Sequence, residues 1–210
     1  DVYTVAREVF TILERTTDRL IEKKIDFEEG RFHIFGKSDQ IHQVLLNLGT
    51  NAVQAIEEKG AAPGDCITVS ADEYTAGPDD RMGLLPREYI ALSFSDTGTG
   101  MTDDVRNRAF DPLFSTKQRG ANKGQGLGLA MVYNIVTRGH NGHIRIDTAP
   151  GYGTTFVMYL PKADFIVQDR EKDESADLHG SENILIVEDE EAVREVARKM
   201  LVYFGYNTVT

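Results

Sequence analysis

The chain has 210 residues, 40% of them hydrophobic and 27% charged, and no apolar run of 18 residues, which fits one or two water-exposed domains with a real core and excludes a helical membrane span. Thirty-four acidic against 23 basic residues give a net charge of -11, so the chain as a whole repels nucleic acid, and any anionic ligand needs a local exception. The single Cys66 cannot form an internal disulfide, and the N-terminus DVYTVAREVF lacks the basic-then-apolar pattern of a secretory signal, which suits a cytoplasmic setting. A first residue Asp and a strand-like run stopping at Thr210 point to a piece of a longer protein, whose upstream part could carry a membrane anchor.

Residues 2 to about 15 place Val5, Ala6, Val9, Phe10, Ile12 and Leu13 at helical spacing. Two strand candidates follow, Lys24 to Glu28 and Arg31 to Phe35, with Gly30 at the turn. Ser38 and Asp39 offer N-cap oxygens for a long helix ending near Lys59, with Gly60 suited to the left-handed C-terminal position. Cys66 to Tyr74 and Glu88 to Ser95 alternate like an antiparallel pair around the Gly- and Pro-containing loop 75 to 87. From Thr99 to Gln125 no period is sustained, as in a lid. Leu127 to Thr137 is helical, and His143 to Thr148 and Thr154 to Leu160 are strands joined by Pro150 to Gly153. That order predicts a sheet with helices on one face.

Between Gln168 and Asn183 the composition turns acidic and polar, so residues 164–182 are expected to be a flexible linker. Ile184 to Val187 is then a short apolar run of the kind buried in a parallel sheet. A helix carrying Ala192, Val193, Val196, Ala197, Met200, Leu201 and Phe204 on one side follows, and a second strand begins at Tyr206. The chain ends within a βαβ unit.

Four short motifs carry the chemistry. Asn47 and Asn51, four residues apart, project from one helical face and could hold a hydrated divalent ion or a phosphate-bound water; surface amides are the plainer alternative. Asp96-Thr-Gly-Thr-Gly100-Met101 follows an apolar strand. A carboxylate there can accept from an exocyclic amine, with glycines letting a ring approach, although the motif alone is more often just a turn. If Asp96 reads an adenine amino group, guanine would set a carbonyl against it, costing roughly 1–3 kcal/mol or more. Phe110-Asp-Pro-Leu-Phe114-Ser-Thr116-Lys117 lies in the lid, where its aromatics could anchor a mobile segment on the core. Gly124-Gln-Gly126-Leu127-Gly128-Leu129 runs straight into a helix, whose free N–H groups and positive dipole end favour phosphate. From Pro112 to His140 there is no Asp or Glu, yet Lys117, Arg119, Lys123 and Arg138 occur; this is the local exception to the acidic balance. The glycine cluster lacks the preceding strand of a dinucleotide fingerprint and the Gly-Lys-Ser/Thr of a Walker loop, and His42, His140 and His143 are taken as structural.

Together Gln43 to Ala52, Asp96 to Gly100, Phe110 to Phe114, Gly124 to Gly128 and Gly151 to Thr155 resemble, in order and spacing, the N, G1, F, G2 and G3 boxes of the ATP-binding domain of bacterial sensor histidine kinases. The resemblance covers residues 1–163. It implies a two-layer α/β (α+β) sandwich of the Bergerat type found in the GHKL superfamily, with a mixed sheet, helices on one face, and ATP and Mg²⁺ as ligands. On that resemblance Asn47 and Lys117 are the catalytic positions and Asn51 is a Mg²⁺ ligand. Asp96, flanked by Gly98, Gly100 and Met101, reads the base, and Thr155 supports it through water. Phe114, Thr116 and Gly124 border the nucleotide, and Gly126, Leu127, Gly128 and Leu129 give backbone donors to phosphate.

Residues 183–210 resemble the start of a response-regulator receiver domain, in which Glu188 and Asp189 would bind Mg²⁺; the chain stops before the strand that precedes the phosphorylatable aspartate. The resemblance further implies a homodimeric hybrid kinase. Its acceptor histidine lies on a dimerisation domain upstream of residue 1, and phosphate passes on to a receiver in the same protein or to a separate response regulator. The piece alone is therefore expected to bind Mg-ATP without labelling itself. A GHKL-type hydrolase and a nucleotide-binding module without catalysis are the alternatives. The related gyrase and heat-shock ATPases place a glutamate base where Asn47 stands, and an amide cannot take that proton.

Overall fold

The computed structural model describes residues 1–17, 19–116, 126–163, 180–187, 194–195, 198–199, 201–202 and 205–209. The chain divides into two units, Asp1–Phe165 and Ile166–Thr210. The first runs α1 (Val2–Thr16), β1 (Glu22–Asp26), α2 (Ser38–Glu58), β2 (Cys66–Ala76), β3 (Arg87–Asp96), α3 (Asp103–Arg108), α4 (Gly128–Asn134), a π-helical turn (Ile135–Gly139), β4 (His143–Thr148) and β5 (Thr154–Pro161). Its five strands lie in the order β1-β2-β3-β5-β4. β1 pairs with β2 in parallel and every other neighbour is antiparallel, the mixed sheet expected.

The period-2 alternation sorts the strands into two faces. Ile90, Leu92 and Phe94 of β3, with Phe156, Met158 and Leu160 of β5, point into one core with the apolar stripes of α1 and α2 and with Val132 and Val136 behind α4. Helices therefore cover that face. Gly49 lets α1 lie close on α2, since a Cβ there would meet Leu13 Cδ1 at 2.5 Å. On the opposite face Tyr89, Val157 and Tyr159 form a smaller cluster beneath Met82 and Leu84 of the 77–86 loop. Asp80 holds that loop, accepting from the Tyr74 hydroxyl and from the N–H groups of Met82 and Leu84.

Four local expectations need correction. Arg31 to Phe35 is not a strand. Phe32 is buried, its carbonyl accepts from Val2 N–H, and Ile34 makes only an isolated bridge to Lys162. Ser38 and Asp39 are the first helical residues of α2, the N-cap is Lys37, and it makes no side-chain cap bond. The stretch after Thr99 contains α3, whose first turn is capped by the Thr102 hydroxyl accepting from Val105 N–H. The helix expected over Leu127 to Thr137 breaks its α register at Ile135, where the ring of His140 bonds the Ile135 carbonyl through Nδ1 at 3.0 Å and Gly142 N–H donates to Val136.

In the second unit β6 (Asn183–Leu185) and β7 (Asn207–Val209) pair in parallel, with helical residues between them in sequence. Arg198 forks onto Glu195 within that helical stretch. Among the described residues no helix is long and apolar enough to cross a membrane.

Candidate functional site

α2 is the backbone of the site. Its buried side, Ile41, Val44, Leu45, Leu48, Ala52 and Ile56, fixes the rotation of the helix, which leaves Asn47, Thr50, Asn51 and Gln54 along the opposite edge at i, i+3, i+4 and i+7. These four line a cavity of about 290 Å³ together with Phe114, Ser115, Thr116, Gly126, Gly128 and Leu129. Among the described residues the wall is therefore amides, hydroxyls, glycine backbone and the apolar Phe114 and Leu129, without a carboxylate. Asn47 Nδ2 points at Met131 Sδ, and a Cβ on Gly128 would come within 3.2 Å of Asn47 Oδ1, so the start of α4 packs directly on the first asparagine.

The two glycine-bordered segments meet at this cavity. Leu113 N–H donates to Gly126 O at 3.0 Å, and a Cβ on Gly126 would strike the Leu113 carbonyl carbon at 2.6 Å, so only glycine admits the approach. Leu113 itself takes a positive φ of 65°. Phe110 packs on the main core and against Tyr133, as an anchor should, whereas Phe114 lies under the Arg108 guanidinium, 4.2 Å from its ring centre.

The Asp96–Met101 motif packs against the same helix further along. Thr99 N–H donates to Ala55 O, and Gly98 abuts Ala55, where a Cβ would sit 2.6 Å from the Ala55 Cβ. Asp96 ends β3 half-buried, its Oδ1 accepting from Gly98 N–H at 2.8 Å. Burial pushes its carboxyl pKa upward, while the Gly98 and Thr154 N–H groups and the charge of Lys59 pull it down. Gly100 packs against the Ala149 carbonyl, and Met101 N–H donates to the Thr148 hydroxyl. Thr155 on β5, the cross-strand partner of Ser95, bonds the Ser95 hydroxyl at 2.9 Å.

The structure thus gathers Asn47, Asn51, Phe114, Thr116, Gly126, Gly128 and Leu129 in one cavity. Asp96, Gly98, Gly100, Met101 and Thr155 gather around the end of β3 and the turns packed on it. Leu127 precedes α4, 40% exposed, and is not part of the cavity wall. Lys117 and Gly124, like Glu188 and Asp189, lie outside the described residues. Thr50, Gln54 and Ser115 were missed by sequence reasoning, although the helical spacing that pairs Asn47 with Asn51 also selects Thr50 and Gln54.

Comparison with known proteins matches residues 36–164 to the family described as histidine kinase-, DNA gyrase B-, and HSP90-like ATPase. The chain belongs to this family. It is an ATP-binding domain of the histidine-kinase-like ATPases, as the resemblance of residues 1–163 to sensor histidine kinases implies. A curated relative, the sensor kinase CckA of Brucella abortus (strain 2308), is 34% identical over 218 residues, covering 98% of this chain and 22% of that protein. The chain therefore spans about a fifth of the length of that relative. Among solved structures, the mycobacterial sensor histidine kinase MprB shares the fold at 23% identity and a TM-score of 0.58, over 77% of this chain and 95% of that one. Full-length ShkA in complex with AMPPNP has a TM-score of 0.59 at 23% identity, over 99% of this chain and 39% of that one.

Proposed function

We propose that this ATPase-family domain binds Mg-ATP along α2 and, within a longer sensor kinase, presents the γ-phosphoryl group for transfer to a histidine. Asp96 takes the adenine end, Asn47, Gln54 and the Gly126–Leu129 turn take the phosphates, and Asn51 takes their Mg²⁺. Ala55 and Asn47 are eight residues apart on one helix, about 12 Å at 1.5 Å per residue, the length scale of a nucleotide extended from base to phosphates. This shared ruler is the observation that carries the reading.

The residues present fit Mg²⁺. Amide and hydroxyl oxygens suit an ion that keeps phosphate and water ligands and takes one protein donor, here Asn51. When bound, the ion would neutralise charge that develops on the phosphates. Asn47 cannot serve as a general base toward water, so the site is suited to positioning the triphosphate for transfer rather than to spending it on water.

In the same reading residues 1–163 are the catalytic domain, 164–182 a linker, and 183–210 the opening of a receiver domain with Glu188 and Asp189 near its Mg²⁺. The parallel β6–β7 pair supports the receiver assignment. The partners would be a histidine-bearing dimerisation domain and a receiver, in a homodimer working in the cytoplasm. The test is Asp96→Asn. An amide turns one acceptor into a donor facing the adenine amine, so calorimetry should show ATP affinity falling about tenfold or more and the preference over GTP disappearing. Unchanged ATP binding would refute the base assignment.

A further inference from the structure

Beyond the cavity, a compact polar network ties the C-terminal end of α2 to the base-reading turn. Asp65, 6% exposed, accepts from Lys59 Nζ at 2.6 Å, from the Thr97 hydroxyl at 2.8 Å and from Ala62 N–H at 2.9 Å. Lys59 Nζ donates a second bond to the Thr97 carbonyl. Thr97 is further pinned to the start of β2, its N–H donating to the Cys66 carbonyl and its hydroxyl accepting from Cys66 N–H. Thr97 follows Asp96 directly in sequence, so the whole arrangement fixes the peptide that aims the Asp96 carboxylate.

From this geometry, and resting on the assignment of Asp96 to adenine, we propose that Lys59 is a positioning residue for Asp96, so that base selectivity depends on a lysine acting through the Thr97 peptide. Two groups bond the ammonium: the Asp65 carboxylate and the Thr97 carbonyl. Asp65 fixes where Lys59 sits, and Lys59 then holds the Thr97 carbonyl, one residue beyond Asp96. Two dipoles also act on Asp96, the N–H of Gly98 from its own turn and that of Thr154 from β5. β2 contributes the half-buried thiol of Cys66 and, just before the strand, Asp65. Burial still leaves the Asp96 carboxyl raised, and the charge of Lys59 adds a smaller downward pull to that of the two N–H groups. An ionised carboxylate is the stronger acceptor for an exocyclic amine. Lys59 therefore holds the turn that aims Asp96 and adds to the pull toward its ionised form.

The sequence gives no hint of this role, because Lys59 caps a helix after Glu57 and Glu58 and looks like an ordinary surface lysine. Lys59→Met by itself would strand Asp65 in the interior and could weaken the fold. Lys59→Met/Asp65→Asn removes both charges and keeps the volume. Calorimetric titration of ATP and GTP with this double variant, from about pH 5 to about pH 8, should show ATP affinity falling about tenfold at neutral pH while GTP affinity holds. The ratio of variant to wild-type ATP affinity, in which the titration of the nucleotide itself cancels, should drop further on the acid side, because Asp96 without its cation takes up a proton at higher pH. Lys59→Arg should retain the wild-type ratio and acid limb. A double variant that melts like wild type and keeps both the ATP-to-GTP ratio and the acid limb would overturn the proposal, leaving Lys59 a structural partner of Asp65. A wild-type protein without ATP affinity would overturn the nucleotide reading itself.

Discussion

Replacing Gly153 and Gly151 by alanine, one at a time, separates backbone strain from steric conflict at the turn that supports Asp96. Both glycines have positive φ, 79° and 82°. Alanine in that region costs about 1–2 kcal/mol at either position. Around Gly151 a new Cβ meets nothing within 4 Å, so strain is the whole cost. At Gly153 the Cβ would land on the Asp96 carbonyl oxygen, with the Asp96 carbonyl carbon at 2.9 Å and Thr97 Cα at 3.0 Å. Those are backbone atoms of a paired strand end that cannot swing aside, and overpacking of this kind adds roughly 1–3 kcal/mol. The expected losses are thus about 1–2 kcal/mol for Gly151→Ala and about 2–5 kcal/mol for Gly153→Ala. At roughly 2–4 °C per kcal/mol for a unit of this size, the second variant should melt on the order of 5 °C below the first. Differential scanning calorimetry gives both values, and nucleotide titration at a temperature where both are folded gives the functional half. Gly153→Ala should weaken ATP through the displaced Asp96, and Gly151→Ala should not. Equal melting temperatures with equal ATP affinities would refute the claim that the turn is sterically locked onto Asp96.

Two further outcomes follow from the site and its surroundings. Asn51→Ala should weaken ATP binding several-fold more in Mg²⁺ than in EDTA, because the amide is assigned to the ion rather than to the phosphates; equal losses in the two buffers would remove that role. Asp65 is held down to about 2, first by its bond with Lys59 and then by Ala62 N–H and Thr97. A carboxyl whose folded pKa lies below its unfolded one stabilises the fold above the unfolded value, about 3.9. That contribution is lost as pH falls toward about 2. Acid unfolding of the wild type should therefore steepen in this window, and Asp65→Asn should flatten it; identical acid profiles would count against the ion pair.

Much of the fold was legible because burial imposes a period. The stripe of α2 and the alternation of β2, β3 and β5 each follow from one face meeting the core, and the structure keeps those boundaries to within a residue or two. What escaped was set by partners distant in sequence. Residues 31–35 alternate like a strand, but Phe32 is drawn inward against Phe27, and the carbonyls of Phe32 and His33 accept from Val2 and Ala163 instead of from a ladder. The π register at Ile135 depends on His140 folding back, which no local pattern signals. In the site, the asparagine pair and the glycine motifs announce themselves by residue type. Thr50 and Gln54 carry ordinary polar side chains and become visible only once the rotation of the helix is fixed. Lys59 needed the tertiary path through Asp65 and Thr97.

Because α2 touches one group of motifs through Asn47 and the other through Ala55, a rigid rod sets the distance between the two ends of the site. On the proposed assignment, a nucleoside stripped of its phosphates would engage only the Asp96 end, and free triphosphate only the amide end. Tight capture then belongs to the covalently joined molecule, since the half that lands first holds the other at high effective concentration beside its own binding groups.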